Sequence, residues 1–303
     1  MASTSTRVAA RDGTELLVRR WAAAAERPTA TGEPAVGEAS GAPWARVLLI
    51  HGLAEHGGRW EHVGARLADA GLEVMAFDQR GFGASGGRRA WVDRWSRLHD
   101  DVEDRLTELR AAGPEPVALY GHSLGGLIAL GYVLDDRPQP DALVLSAPAL
   151  SSAIPAWRQA LAAVLNRVAP TMTVANGLDA SDLSHDPAVV AAYGPDPLNV
   201  HRSTVGFGIR AFAEQERVRG ALGRLRVPTL VIHGGEDRIV PTATTAVLGE
   251  LSGVTRRVYP GLRHEVHNEP QGLSVLDDVI GWLRATLEDG GSRAARRSGD
   301  GVG

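Results

Sequence analysis

The sequence predicts an α/β fold: a mostly parallel central sheet with helices on both faces and a helical lid inserted into it. Three observations carry that reading. From Arg46 onward, short apolar runs of strand length alternate with segments of helical period. The runs are continuously apolar, as strands covered on both faces must be. One interval, between Leu145 and Thr229, holds about 80 residues, far more than an ordinary connection needs.

Taken in order, residues 7–20 read as a hairpin, with Arg7–Ala10 and Glu15–Arg20 flanking the tight-turn dipeptide Asp12-Gly13. Residues 22–43 hold almost no large apolar side chain and predict a flexible surface insertion. Buried parallel strands follow at Val47–Ile50, Val74–Phe77, Val117–Tyr120, Ala142–Leu145 and Thr229–Ile232. Helix candidates at Trp60–Ala70, Ser96–Ala112 and Leu124–Leu134 separate them, and a strand at Arg256–Tyr259 precedes a last helix near Ser274–Leu287. Inside the long interval Ile154, Trp157, Leu161, Val164, Leu165 and Val168 fall at the spacing of an amphipathic helix. The chain thus divides into an α/β core (1–148 and 220–288), a helical lid (149–219) and a Gly/Arg/Ser tail (289–303) expected to be disordered.

Composition narrows the function. A chain of 303 residues can bury a sizeable core in one large domain. The formal net charge is −4, so no basic field invites nucleic acid or a polyanionic substrate. With no cysteine there is no disulfide, thiolate nucleophile or zinc–sulfur site. Met1 to Arg11 lacks the apolar core of a signal peptide, and no apolar run reaches membrane-spanning length; the expectation is a cytoplasmic protein, peripheral at membranes at most. Nothing in the sequence specifies an oligomeric state.

Gly121-His122-Ser123-Leu124-Gly125 has the G-x-S-x-G spacing of a nucleophile elbow. Such a serine sits on a sharp strand-to-helix turn, and glycines two residues to either side let the strand and helix approach. A second match, Gly83-Ala84-Ser85-Gly86-Gly87, has neither a strand before it nor a helix after it, so Ser85 reads as a loop hydroxyl bonding local backbone. A serine hydroxyl needs a histidine to take its proton and a carboxylate to orient that histidine. Downstream, Asp237 or Glu236 follows the strand Thr229–Ile232, and His264 or His267 follows Arg256–Tyr259. Both loops lie beyond the carboxyl ends of parallel strands, where sites in open α/β sheets form. Acyl transfer also needs N–H donors for an oxyanion: Leu124, after the nucleophile, and Leu53, in the loop after Val47–Ile50.

His51-Gly52-Leu53-Ala54-Glu55-His56, Phe77-Asp78-Gln79-Arg80-Gly81-Phe82-Gly83, the Ser123 block, Leu145-Ser146-Ala147-Pro148 and Tyr259 through Pro270 together resemble the monoacylglycerol lipase family of the α/β-hydrolase fold. The likeness runs from about Arg7 to Leu287, lid interval included. It implies hydrolysis of single-chain glycerol esters with no cofactor and no metal. It selects Asp237 and His264 as acid and base, and it puts Glu55, Arg59 and His267 at the polar, glycerol end of the pocket. Trp157 and Val164 of the lid stripe would then cover the acyl chain, and the same stripe admits transient contact with a membrane surface. A broader carboxylesterase, lysophospholipase or thioesterase on the same triad is the alternative. A non-catalytic ligand receptor is disfavoured, because every triad and oxyanion element is present.

Overall fold

The computed structural model describes residues 2–24, 42–151 and 154–299 of the chain. It opens on the expected hairpin, β1 (Thr4–Ala9) and β2 (Glu15–Trp21), paired antiparallel. Gly13 supplies the left-handed φ of +81° that the tight turn needs, and Ala10 N–H closes it on Thr14 O at 2.8 Å. Of the insertion expected at 22–43, residues 25–41 lie outside the described residues.

The core then runs β3 (Ala45–Ile50), α1 (Glu61–Asp69), β4 (Leu72–Phe77), α2 (Ser96–Ala111), β5 (Val117–His122), α3 (Leu124–Val133) and β6 (Ala142–Ser146). The long interval contributes α4 (Ala156–Val168), β7 (Thr173–Ala175), α5 (Pro187–Tyr193), β8 (Arg202–Thr204) and α6 (Val205–Ala221). β9 (Thr229–Gly234), β10 (Val254–Tyr259) and α7 (Gly272–Gly299) complete the chain. The main sheet has eight strands in the order β1-β2-β4-β3-β5-β6-β9-β10. Every pair from β4 to β10 is parallel, as the continuous apolar runs predict.

Successive residues of each strand feed opposite faces, which is why the runs are apolar throughout. Leu48 and Ile50 pack with Leu119, Leu143, Val102 and Leu127 on the face covered by α2 and α3. Val47 and Leu49 pack with Val74, Val144, Val63 and Val279 on the face covered by α1 and α7. All ten residues of α3 are buried, as a helix apolar all round must be. Full burial of one such leucine or valine is worth about 1.5–3 kcal/mol. β3 lies between β4 and β5, so the chain reverses its direction of progress across the sheet there, and it is beyond the carboxyl ends of strands at such a reversal that open α/β sheets form their sites.

Two expectations change. The interval 149–219 is not helical throughout: β7 and β8 form an antiparallel ladder, and α6 packs as core, with Phe207 and Val218 buried beside α3. Three-residue strands carry too little periodicity to read. The stretch from 289, expected to be disordered, is helical to Gly299, with 300–303 outside the described residues.

Candidate active site

Ser123 ends β5 and begins α3 with φ 51° and ψ −114°, a conformation that L-residues rarely hold. The flanking glycines explain how the turn is reached. A Cβ on Gly121 would lie 2.3 Å from Gly125 O, and one on Gly125 would lie 2.2 Å from Ile50 O. Ser123 N–H donates to Ser146 O at 2.8 Å, and its own carbonyl accepts from Leu127 and Ala149 N–H. These bonds fix the turn against β6 while the hydroxyl keeps no hydrogen-bond partner among the described residues. Ser85 is different: its Oγ donates to Asp78 O and accepts from Leu17 N–H at 2.8 Å, tying its loop to β2.

The loop after β3 lies against the serine. A Cβ on Gly52 would sit 3.3 Å from Ser123 Cβ. His51 secures this loop, donating from Nδ1 to Gly52 O at 2.8 Å and accepting Gln79 N–H at Nε2. Burial holds its pKa down to about 4. Leu53 follows directly, and Leu124 is the first residue of α3, where backbone N–H groups have no intrahelical acceptor. Leu124 therefore stands next to the serine at the positive end of a helix, and Leu53 lies one residue beyond the glycine that approaches Ser123.

His264 Nδ1 donates to Asp237 Oδ2 at 2.7 Å, with both side chains buried. Asp237 Oδ1 accepts from Ile239 and Val240 N–H at 2.9 and 2.8 Å, and Oδ2 also takes His233 Nε2 at 3.0 Å. Burial alone would raise this carboxyl. The His264 charge and the donated hydrogen bonds reverse that and hold it well below the usual carboxylate range. The rivals are placed otherwise. Glu236 is exposed and faces His185 at 3.7 Å. His267 packs against Trp60 with ring centroids 4.3 Å apart and the rings tilted by 30°, and neither of its nitrogens has a partner among the described residues. Burial, then His62, Arg59 and His264, push His267 well below its ordinary value, so it stays neutral. His122 is lowered likewise; its ring lies 4.8 Å from that of His264, and its Nδ1 lies 3.1 Å from Ser146 Oγ.

Glu55 is buried, Arg59 is nearly so, and the two pair with each other. Glu55 Oε1 accepts Gly52 N–H at 2.6 Å, and Oε2 takes Arg59 at 3.0 Å and Trp60 Nε1 at 3.3 Å. Arg59 then clamps Glu265 through two parallel bonds of 2.6 and 2.7 Å. This buried chain joins the loop of Leu53 to the loop of His264. Burial, partly offset by Arg59, raises Glu55 to about 7. For Glu265 the charge and hydrogen bonds of Arg59 overcome burial and leave it below its ordinary value. The donor atoms of Glu55, His122 and Glu265 lie within 4.8 Å of one another, close enough to hold a metal, but Arg59 already spans both carboxylates.

The insertion is strapped to the same loop. Val200 N–H and Tyr193 Oη donate to Ala54 O, Asp196 pairs with His56 at 3.0 Å, and Arg59 lies over the Tyr193 ring. Trp157 and Val164 are 64% and 61% exposed on α4. Glu265, His233, Tyr193 and Asp196 went unassigned in the sequence. Their signal was weak: single polar residues in apolar or loop contexts, whose partners are distant in the chain.

Comparison with known proteins gives four findings. The family described as serine aminopeptidase S33 matches residues 41–271. A monoacylglycerol lipase of Mycolicibacterium smegmatis is 40% identical over 254 residues, 80% of this chain and 88% of its own. The human monoglyceride lipase is 32% identical over 283 residues, 90% and 88% of the two chains. Among solved structures, the Paleococcus ferrophilus monoacylglycerol lipase superposes with a TM-score of 0.75 at 33% identity, covering 81% of this chain and 96% of its own.

Proposed function

This chain belongs to the serine aminopeptidase S33 family and, within it, to the monoacylglycerol lipases, and from that premise we propose that it cuts monoacylglycerols through an acyl-enzyme on Ser123. It is a serine ester hydrolase of the α/β-hydrolase fold. In the proposed mechanism His264 takes the Ser123 proton as the hydroxyl attacks the ester carbonyl. Asp237 keeps the His264 Nδ1–H in place and stabilises the imidazolium. Leu53 and Leu124 N–H receive the oxyanion, and His264 returns the proton to the departing glycerol. Water then attacks the acyl-enzyme with His264 again as base, releasing the fatty acid.

The observation that carries this reading is the 2.7 Å Asp237–His264 bond. It lies beyond the carboxyl ends of β9 and β10, while a strained serine follows β5, separated from β9 only by β6 in the same sheet. The acyl chain is assigned to the apolar side of the insertion, where each buried methylene contributes about 0.8 kcal/mol. No helix among the described residues is long and apolar enough to cross a membrane. The exposed stripe Trp157, Leu161, Val164 and Val168 on α4 instead suits transient contact with a lipid surface.

A panel of mono-, di- and triacylglycerols with p-nitrophenyl esters of graded length tests the assignment. We expect kcat/KM on monoolein to exceed that on diolein and triolein by about tenfold or more, a difference of ~1.4 kcal/mol. Equal rates on triolein and monoolein would remove the substrate reading and leave a general esterase.

A further inference from the structure

We propose that His233 is a positioning residue for the reaction, a second histidine that fixes the carboxylate on which His264 depends. The inference rests on the reading of Asp237 and His264 as acid and base. His233 is fully buried near the end of β9, four residues before Asp237. Its Nε2 lies 2.7 Å from Val240 O and 3.0 Å from Asp237 Oδ2. A carbonyl oxygen only accepts, so Nε2 carries a proton, and that proton is shared between the carbonyl and the carboxylate. The shared oxygen is the one that receives His264 Nδ1–H.

Four N–H donors therefore converge on one carboxylate: Ile239 and Val240 on Oδ1, His264 and His233 on Oδ2. With both oxygens engaged from opposite sides, the carboxylate cannot turn its plane away from His264. The other face of the His233 ring is held as well. Nδ1 lies 3.0 Å from Thr245 Oγ1, which accepts from Arg256 Nε at 3.2 Å. The line Arg256–Thr245–His233–Asp237–His264 thus runs from the edge strand β10 to the proposed base. A histidine needed only to close the loop after β9 would be satisfied by Val240 O alone.

The test compares His233→Ala, His233→Gln and Thr245→Val in the full chain. Glutamine can place an N–H near the position of Nε2, and valine removes the hydroxyl that holds the ring. Three quantities are read: kcat and KM on a soluble p-nitrophenyl ester, the low-field proton resonance of the Asp237–His264 hydrogen bond, and Tm. The expected result for His233→Ala is a kcat lower by about tenfold at unchanged KM, as for the loss of one hydrogen bond to a charged group, with a displaced or broadened resonance. His233→Gln should recover kcat to within about threefold of wild type, and Thr245→Val should move both readouts in the same direction by less. A His233→Ala protein with lowered Tm but unchanged kcat and resonance would overturn the proposal, as would a glutamine variant as slow as the alanine one. If His233→Ala does not fold, Thr245→Val decides: unaltered kcat and resonance refute the network. The resonance is read without substrate, so it judges the network separately from Ser123→Ala, whose retained activity would instead sink the triad reading.

Discussion

Asp237→Asn isolates the part of the site that its geometry constrains most. The carboxylate accepts two backbone N–H bonds on one oxygen and two histidine N–H bonds on the other. An asparagine has one acceptor and one donor end, so one side of this pattern must fail. Keeping the oxygen toward Ile239 and Val240 is the cheaper choice, since those N–H groups cannot change tautomer. The amide NH2 then faces His264, whose Nδ1 must accept instead of donate. The proton moves to Nε2, and the ring can no longer take the proton of Ser123. Wrong-tautomer substitutions of this kind lower turnover by ~10⁴-fold, about 5 kcal/mol of barrier. His233 Nε2–H keeps Val240 O, so the folded state loses roughly one buried hydrogen bond, about 1–3 kcal/mol, and Tm falls by several degrees. The assay is kcat on a p-nitrophenyl ester with thermal unfolding in parallel. A folded variant within tenfold of the wild-type kcat would refute the argument.

Other outcomes follow from the same geometry. Ser123→Ala should abolish turnover and fluorophosphonate labelling, whereas Ser85→Ala should keep both and lose about 1–2 kcal/mol of stability with its two backbone bonds, read by denaturant titration. Glu55, raised from its ordinary 4.5 to about 7, contributes stability that is complete below pH 4.5 and lost as pH rises through 7. Urea titrations from pH 4.5 to 8 should therefore show wild type losing on the order of 3 kcal/mol relative to Glu55→Gln; a constant difference would show that Glu55 does not titrate there. Trp157→Glu and Val164→Glu, at exposed positions, should leave Tm within about 1 °C and spare short soluble esters while slowing turnover of monoolein in vesicles. Equal effects on both substrates would remove the lid from acyl or membrane contact. His264→Ala should be inactive, while His267→Ala, which loses packing against Trp60, should be less stable yet retain the pH profile of turnover; the reverse pattern would exchange the two histidines.

Much of the fold was legible because it rests on local signals. Val47–Ile50 and Thr229–Ile232 announce themselves as buried strands wherever they pair, and Gly121 and Gly125 mark a turn that no Cβ can enter. The two-stranded β7–β8 ladder and the core packing of α6 were not legible. Three-residue strands have no period, and α6 buries Phe207 and Val218 against α3, an element that ends 72 residues before α6 begins. The resemblance puts Glu55 and Arg59 at the glycerol end of the pocket; that both belong to a buried chain of ion pairs was not legible, because a loop of charged residues looks solvated until its partner is known. That partner is Glu265, 206 residues from Arg59.

By itself the sequence determined the strand–helix order, the serine on its strand-to-helix turn, and the short menu of acids and bases downstream of it. Periodicity and steric exclusion act between neighbours in the chain, so those choices needed no long-range information. The residues by themselves left Asp237 beside Glu236 and His264 beside His267; the family resemblance preferred Asp237 and His264, and only the tertiary structure shows those two hydrogen-bonded to each other. The members of each pair lie within three residues of each other and offer similar chemistry. What separates them is which one the sheet and its loops bury within 2.7 Å of the other, with donors left over to hold it.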